Sequence, residues 1–233
     1  MARQLDDYLS RIKDLLVAMG QLVQEATDRA CAAVVDHRFE LADDVLDGHP
    51  VVGGMENRIS LTCTETLALF NPLADDLRLV VTAMTMASEL ERMSDQACAI
   101  AESAKRLINL PLLPLHAELG DLAATVRSMV GHSITALVQG DTDLAIFVCL
   151  ADEEVDDRSR QLESQVVAAM HADSDTIESA LETFRVLHHL ERIGDLATNT
   201  CKDLVYYIDG RLLRHDGRVV TKSYRRTPDH PAE

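Results

Sequence analysis

From Leu5 onward, apolar residues recur at intervals of three and four: Leu5, Leu9, Ile12, Leu15, Leu16, Met19, Leu22, Val23 and Ala26. That spacing lines one face of a helix, and the run predicts an amphipathic helix of roughly thirty residues. A second helical stretch covers about Phe39 to Leu69. Asn71-Pro72 then marks a turn, with proline near the first turn of a third helix that runs to about Ile108. PLLPL at 111–115 reads as a linker, because two prolines within four residues cannot lie inside a helix. The helical pattern then restarts, with a fourth helix over about His116 to Val138 and a turn at Gln139-Gly140-Asp141. A fifth helix covers about Thr142 to Met170, and HADSD turns the chain with Ser174 or Asp175 as the cap. The sixth runs to Ile208 and ends at Asp209-Gly210.

The third and sixth helices carry nearly the same words. SELERMSDQACA begins at Ser88 and HHLERIGDLATN at His188, with identity at Leu90/Leu190, Glu91/Glu191, Arg92/Arg192, Asp95/Asp195 and Ala97/Ala197. Met93/Ile193 and Ser94/Gly194 exchange like for like. Three helices, a proline linker and three more helices, each half ending in one motif, describe a tandem duplication of a three-helix unit. A unit this long that occurs only twice fits two packed bundles better than a superhelical array. The expected fold is therefore all-α: a first bundle over 1–110, a second over 116–210, and a basic tail over 211–233.

Composition supports this and narrows function. Aromatic residues make up 3% of the chain, with no Trp, while 47% of residues are hydrophobic, which favours helix-on-helix packing. The formal charge of −17 argues against a general binder of nucleic-acid backbones or anionic membranes and favours cations and basic protein surfaces. The tail departs from this, with six basic residues against three acids, and could fold as a small hairpin turning at Asp216-Gly217 or remain without fixed structure. Five cysteines form no CxxC pair and lie within apolar helical patterns, as expected of buried free thiols in a reducing compartment. The polar beginning and the absence of any run near eighteen apolar residues predict a cytoplasmic protein without a membrane span.

In both copies of the motif the two acids stand at i and i+4, on one helix face about a turn apart. Such a pair is ordinarily a solvated face. The helix before the second copy offers another pair, Asp152 and Asp156, at the same spacing. Antiparallel packing of the fifth and sixth helices would let Asp152/Asp156 face Glu191/Asp195, and four converging carboxylates repel strongly without a bound cation. Oxygen ligands suit hard ions such as Mg²⁺, Mn²⁺, Ca²⁺ or iron. Asn199 adds a neutral oxygen one turn on; His188, one turn back, is a nitrogen candidate whose simpler reading is a surface histidine. Ferritin-like di-iron chemistry is set aside, since no Glu is followed three residues later by His. GxSxG, HExxH and Gly-rich phosphate loops are absent as well. Arg92 and Arg192, about 100° round the helix from the motif glutamates, either pair with acids of a neighbouring helix or contact a partner protein. The eight methionines read as core filling.

LERIGDLATN, its partner LERMSDQA and NPLADDLRLV at 71–80 resemble the PhoU family, the phosphate-transport accessory regulators of bacteria, over about residues 5–210. The resemblance implies two similar three-helix bundles and a regulator without catalysis. It implies partners too: the ATPase subunit of the phosphate-importing ABC transporter and the sensor histidine kinase of the phosphate two-component system. That kinase would be held inhibitory when phosphate is plentiful, repressing the phosphate-starvation genes. Metal ions at paired E/D-x-x-x-D motifs, iron and zinc clusters included, and a homodimer are also implied. Carried over by position, the second site falls on Asp152, Asp156, Glu191, Asp195 and Asn199. The first falls on Glu91 and Asp95, but its partner stretch reads DVLDGHPVVGG, with His49 and Gly53 where acids would stand and Ala99 in place of the asparagine. Pro50 and Gly53-Gly54 are expected to break the second helix there. This implies a first site weakened, altered or lost, with Asp47, His49 or Glu56 as substitutes. The competing class is a metal-storage protein or metal-dependent enzyme built on the Asp152/Asp156/Glu191/Asp195 cluster.

Overall fold

The computed structural model of the chain describes residues 2–213 and 219–220. Six helices follow one another: α1 (Ala2–Val35), α2 (Glu40–Phe70), α3 (Ala74–Leu107), α4 (His116–Gln139), α5 (Thr142–Ala172) and α6 (Ile177–Asp209). A single 3-10 turn, Ser174–Thr176, joins α5 to α6. The buried positions of α1 (Leu9, Ile12, Leu16, Met19, Val23, Thr27 and Ala30) keep the three-and-four spacing seen in the sequence.

Turn chemistry ends the helices. Asn71 closes α2 in the left-handed region at φ 47°, its N–H donating to the Leu67 carbonyl. Gly140 and Gly210 close α4 and α6 at φ 66° and 67°, where a Cβ would be strained. The Asp141 carboxylate caps α5 by accepting from the Leu144 N–H at 3.0 Å. Before α6, neither Ser174 nor Asp175 is the cap: α6 starts after Thr176 without a side-chain cap, and the Asp173 carboxylate caps the preceding 3-10 turn, accepting from the Asp175 N–H at 2.9 Å. Helix α5 runs two residues further than expected, to Ala172, which moves the turn and with it the capping position.

A second expectation fails at Pro50. Helix α2 runs unbroken through it and through Gly53-Gly54. The proline ring faces solvent, while Val45, Val52 and Ile59, seven residues apart, are buried on one face spanning the break. Burying three such side chains contributes about 1.5–3 kcal/mol each. That exceeds the roughly 3 kcal/mol that an interior proline costs, so tertiary packing overrides the local signal.

Each helix of the inner layer packs against its own repeat copy, antiparallel. Arg78 near the start of α3 donates to the Tyr207 carbonyl near the end of α6 at 3.3 Å, and Arg106 near the end of α3 donates to Glu182 near the start of α6 at 2.9 Å. The α1–α4 pair runs the same way: a Cβ on Gly20 would meet Ile134, Arg127 bonds Asp28 at 2.6 Å, and Gly120 faces Val35. These pairings place α1, α3, α4 and α6 in the middle under an approximate two-fold axis. One continuous apolar core runs through both halves. Among the described residues helix α2 packs only on α1 and α3, and α5 only on α4, α6 and the 3-10 turn, so the two lie on opposite flanks.

Cys31, Cys63, Cys149 and Cys201 are buried free thiols and Cys98 is partly buried. Burial pushes Cys31 up to about 12 and Cys63, Cys98 and Cys149 up to about 11, so none is a reactive thiolate at neutral pH. Beyond α6, Leu212–Leu213 pairs antiparallel with Val219–Val220, Leu212 opposite Val220. The expected hairpin turn at Asp216-Gly217 and most of the basic tail lie outside the described residues. Among the described residues no helix is long and apolar enough to cross a membrane.

Candidate functional site

The duplicated motif occupies the middle of α3 and α6. Met93 and Ile193 point into the core and are fully buried, which fixes the helix rotation and turns Glu91/Asp95 toward α2 and Glu191/Asp195 toward α5. The two acidic faces therefore sit on the two flanks.

On the α5–α6 flank the charges of Asp152, Asp156, Glu191 and Asp195 act on one another. Burial raises the Asp152 carboxyl above its ordinary value, Asp195 and Asp156 push it further, and Thr198 and Lys202 oppose them. For Glu191 burial is again the largest cause, followed by Asp156, Glu163 and Asp195, with His188 opposing. Asn199 lies half-buried one turn beyond Asp195. His188 is exposed and stacks loosely on His189, their ring centroids 5.9 Å apart, as a surface histidine would. Glu163 and Thr198 were not singled out in the sequence; Glu163 continues the Asp152/Asp156 row on α5, and that continuation was its available signal.

On the α2–α3 flank a tighter group forms. Donor atoms of His49, Glu91 and Asp95 all lie within 4.8 Å of one another, the one such group of three His, Cys, Asp or Glu residues among the described residues. His49 Nε2 is 3.4 Å from Asp95 Oδ1, and Nδ1 of the same ring is hydrogen-bonded to Ser94 Oγ at 3.0 Å. Burial raises the Glu91 carboxyl, with Asp95 adding to the effect, His49 opposing it and Glu56 adding again. Of the three proposed substitutes, His49 takes the central place and Glu56 adds charge, whereas Asp47 acts on Lys105. The partner of His49 that was missed is Ser94. Its exchange with Gly194 between the repeats was the signal.

Arg92 does not reach a neighbouring helix. It pairs with Glu89 one turn back on α3 at 3.2 Å, because the shorter reach along its own helix satisfies the guanidinium first. Arg192 is exposed on α6, where its charge helps lower the His189 imidazole, a group depressed chiefly by burial. A cavity of about 700 Å³ opens elsewhere, between α1, α3 and the ends of α4 and α6; Leu16, Leu79, Met86 and Tyr207 help line it, and none of the acids of the two flanks does.

Two three-helix repeats paired about an approximate two-fold axis, each with an acidic face on its last helix, define a class of duplicated helical-bundle proteins. The PhoU domain model matches the chain twice, over residues 16–104 and 119–204, and the chain belongs to the PhoU family. It is 34% identical over 207 residues to the phosphate-specific transport system accessory protein PhoU homolog of Aquifex aeolicus, spanning 89% of this chain and 94% of that protein. Against the accessory protein PhoU of Escherichia coli K12 it is 31% identical over 214 residues, 92% of this chain and 89% of the other. The crystal structure of PhoU from Pseudomonas aeruginosa superposes with a TM-score of 0.85 at 30% identity, covering 88% of this chain and 99% of that one. The phosphate transport system regulatory protein PhoU from Streptococcus pneumoniae gives 0.82 at 28% identity, over 90% and 99%.

Proposed function

We propose that this protein is a non-catalytic accessory regulator of a phosphate transport system. It acts as an adapter between the transporter's ATPase subunit and the phosphate-sensing histidine kinase, and keeps the phosphate-starvation genes repressed when phosphate is plentiful. The observation that carries this reading is likeness along nearly the whole chain, in sequence and in fold, to proteins named as accessory or regulatory proteins of phosphate transport. The acidic body supports it as a surface for basic protein partners. The exposed apolar residues Leu73, Leu77 and Val81 around the start of α3 suit a protein contact, and a homodimer is part of the proposal.

An adapter shifts its partner only by unequal affinity for the partner's two states. The reading is thus of a protein that binds the inhibitory form of the kinase better than the active one. The carboxylates of Asp152, Asp156, Glu191 and Asp195, with Asn199, would hold a hard divalent cation and so set the shape and charge of the α5–α6 flank. A metal-dependent enzyme is the weaker reading, since the cavity of about 700 Å³ is lined by none of those acids.

Deleting the gene and following a reporter of a phosphate-starvation promoter tests the function. Derepression in high phosphate, reversed by the wild-type chain, is expected. A reporter that stays repressed without the protein contradicts the adapter reading.

A further inference from the structure

The approximate two-fold axis that pairs α3 with α6 and α1 with α4 also relates two hollows. The first lies where α1 and α3 end and α4 and α6 begin, against Val34, Leu107, Leu119 and Thr183. The second lies beside α1 where α4 and α6 end and α3 begins, against Val138, Tyr207, Leu16 and Ala83. The walls correspond by position. Leu107/Tyr207 and Thr183/Ala83 stand one hundred residues apart, as the repeated motif does, and Val34 and Val138 are the next-to-last residues of α1 and α4. The contents differ. The linker crosses the first hollow with Leu113 and Leu115 buried, leaving about 30 Å³, whereas the second is the open cavity of about 700 Å³.

The chain after α6 begins as the linker does. Leu112-Leu113 recurs as Leu212-Leu213, again one hundred residues on, with the first leucine exposed and the second packed on the core in both places. The paths then part. Pro114-Leu115 carries the linker over its hollow into α4, whereas Leu213 pairs with Val219 in an antiparallel ladder, and among the described residues none beyond Ile208 lines the second hollow. The repeat builds one receptor twice and supplies its insert once. We propose that the second hollow is a docking site for a partner protein, which inserts an extended Leu-x-Leu segment flanked by proline, as Leu113 and Leu115 do beside Pro111 and Pro114 in the first. This rests on the reading of the chain as an adapter and names a surface for that role. Leu16, Leu79, Ala83 and Met86 form a buried apolar floor, while Ala18 and Val138 stand exposed at the mouth, so inserted leucines are covered without moving the core. An extended segment brings unpaired backbone N–H and C=O groups. Thr82, whose buried hydroxyl has no hydrogen-bond partner among the described residues, lines the cavity with Gln21 and offers them partners. Flanking prolines hold such a segment extended beforehand, which lowers the entropy lost on docking.

The probe is a fluorescein-labelled peptide with the linker's own sequence, NLPLLPLHA (109–117), titrated against the full chain and read by fluorescence anisotropy. Saturable binding at one site is expected. Ala18→Glu and Val138→Glu, both at exposed positions and checked for helicity by circular dichroism, should each weaken it about ten-fold or more, because a carboxylate would be covered by leucine. Serine in the peptide at the places of Leu113 and Leu115 should abolish binding, and Glu191→Gln/Asp195→Asn in the protein should leave it unchanged. No saturable binding by the full chain, as would follow if its own residues beyond Val220 or a second copy filled the hollow, would overturn the proposal. Equal binding of the serine peptide, or full affinity in both Ala18→Glu and Val138→Glu, would overturn it too. If those variants lose helicity, a benzophenone in the peptide at the place of Leu112 decides: cross-linking to α1, α3 or the ends of α4 and α6 supports the site, and cross-linking elsewhere refutes it. The outcome is separable from that of the promoter reporter, which tests the adapter role whether or not this hollow is the surface used.

Discussion

The α2–α3 and α5–α6 flanks share one backbone plan and place different chemistry on it. Glu91/Asp95 and Glu191/Asp195 are the constant part, set by α3 and α6, whose inner faces are locked in the common core. The variable part comes from the outer helices: His49, Pro50 and Gly53 on α2 against Asp152 and Asp156 on α5. Helices α3 and α6 each pack against several neighbours, so their exposed residues cannot be rotated without disturbing the core. Helices α2 and α5 are held on fewer sides. Duplication thus fixed half of each site and left the other half free to change.

The largest expected effect tests whether the halves are one structure. Ile193 and Met93 occupy equivalent, fully buried positions in a core that runs through both repeats. Ile193→Ala and Met93→Ala should each cost about 2–5 kcal/mol, and each should lower a single thermal transition. Two separate transitions, with only one moved by each substitution, would break the picture of a shared core.

Next is the seam. A Cβ on Gly20 would lie 2.6 Å from the Ile134 side chain where α1 meets α4. Gly20→Val should cost about 1–3 kcal/mol by overpacking, read as a lower midpoint in urea. No change would mean that α1 and α4 are not held as closely as described.

A pH-dependent effect comes third. Position 203 is Asp where the first repeat has Ser103, and burial, with Glu89 nearby, pushes its carboxyl from an ordinary 3.8 to about 6. The raised value means that the folded protein prefers the protonated acid. The stability this group contributes is present below about 4 and is lost as pH rises through about 6. Asp203→Asn should therefore raise the melting temperature at pH 7, by an amount that shrinks toward pH 4. An equal effect at both pH values would show that the charge is not the cause.

The smallest effect concerns α2. A Cβ on Gly54 would meet nothing within 4 Å, so Gly54→Ala should add about 0.5–1 kcal/mol through helix propensity alone. Chemical denaturation checks this, and a loss of stability would mean that α2 needs the glycine's freedom.

All six helices were legible in the sequence, because apolar spacing and Gly, Asn and Pro punctuation agree along most of the chain. The repeat and its acidic pairs were legible because Leu90/Leu190 to Ala97/Ala197 match residue by residue. Continuity of α2 was not, since local propensity at Pro50 opposes it and only the buried Val45, Val52 and Ile59 favour it. Nor was the Ser94–His49 bond. The two residues are 45 positions apart, and nothing short of packing α2 on α3 brings them together. The antiparallel pairing of α1 with α4 and α3 with α6 is likewise a product of packing, not of any motif.

The most direct measurement of the central claim is a binding titration of the full chain against the cytoplasmic region of the phosphate-sensing kinase, with and without divalent metal, beside Glu191→Ala/Asp195→Ala. The account predicts saturable binding by wild type that weakens when metal is withheld or the two acids are removed. No binding by wild type under any condition, with the transporter ATPase also failing to bind, would contradict it.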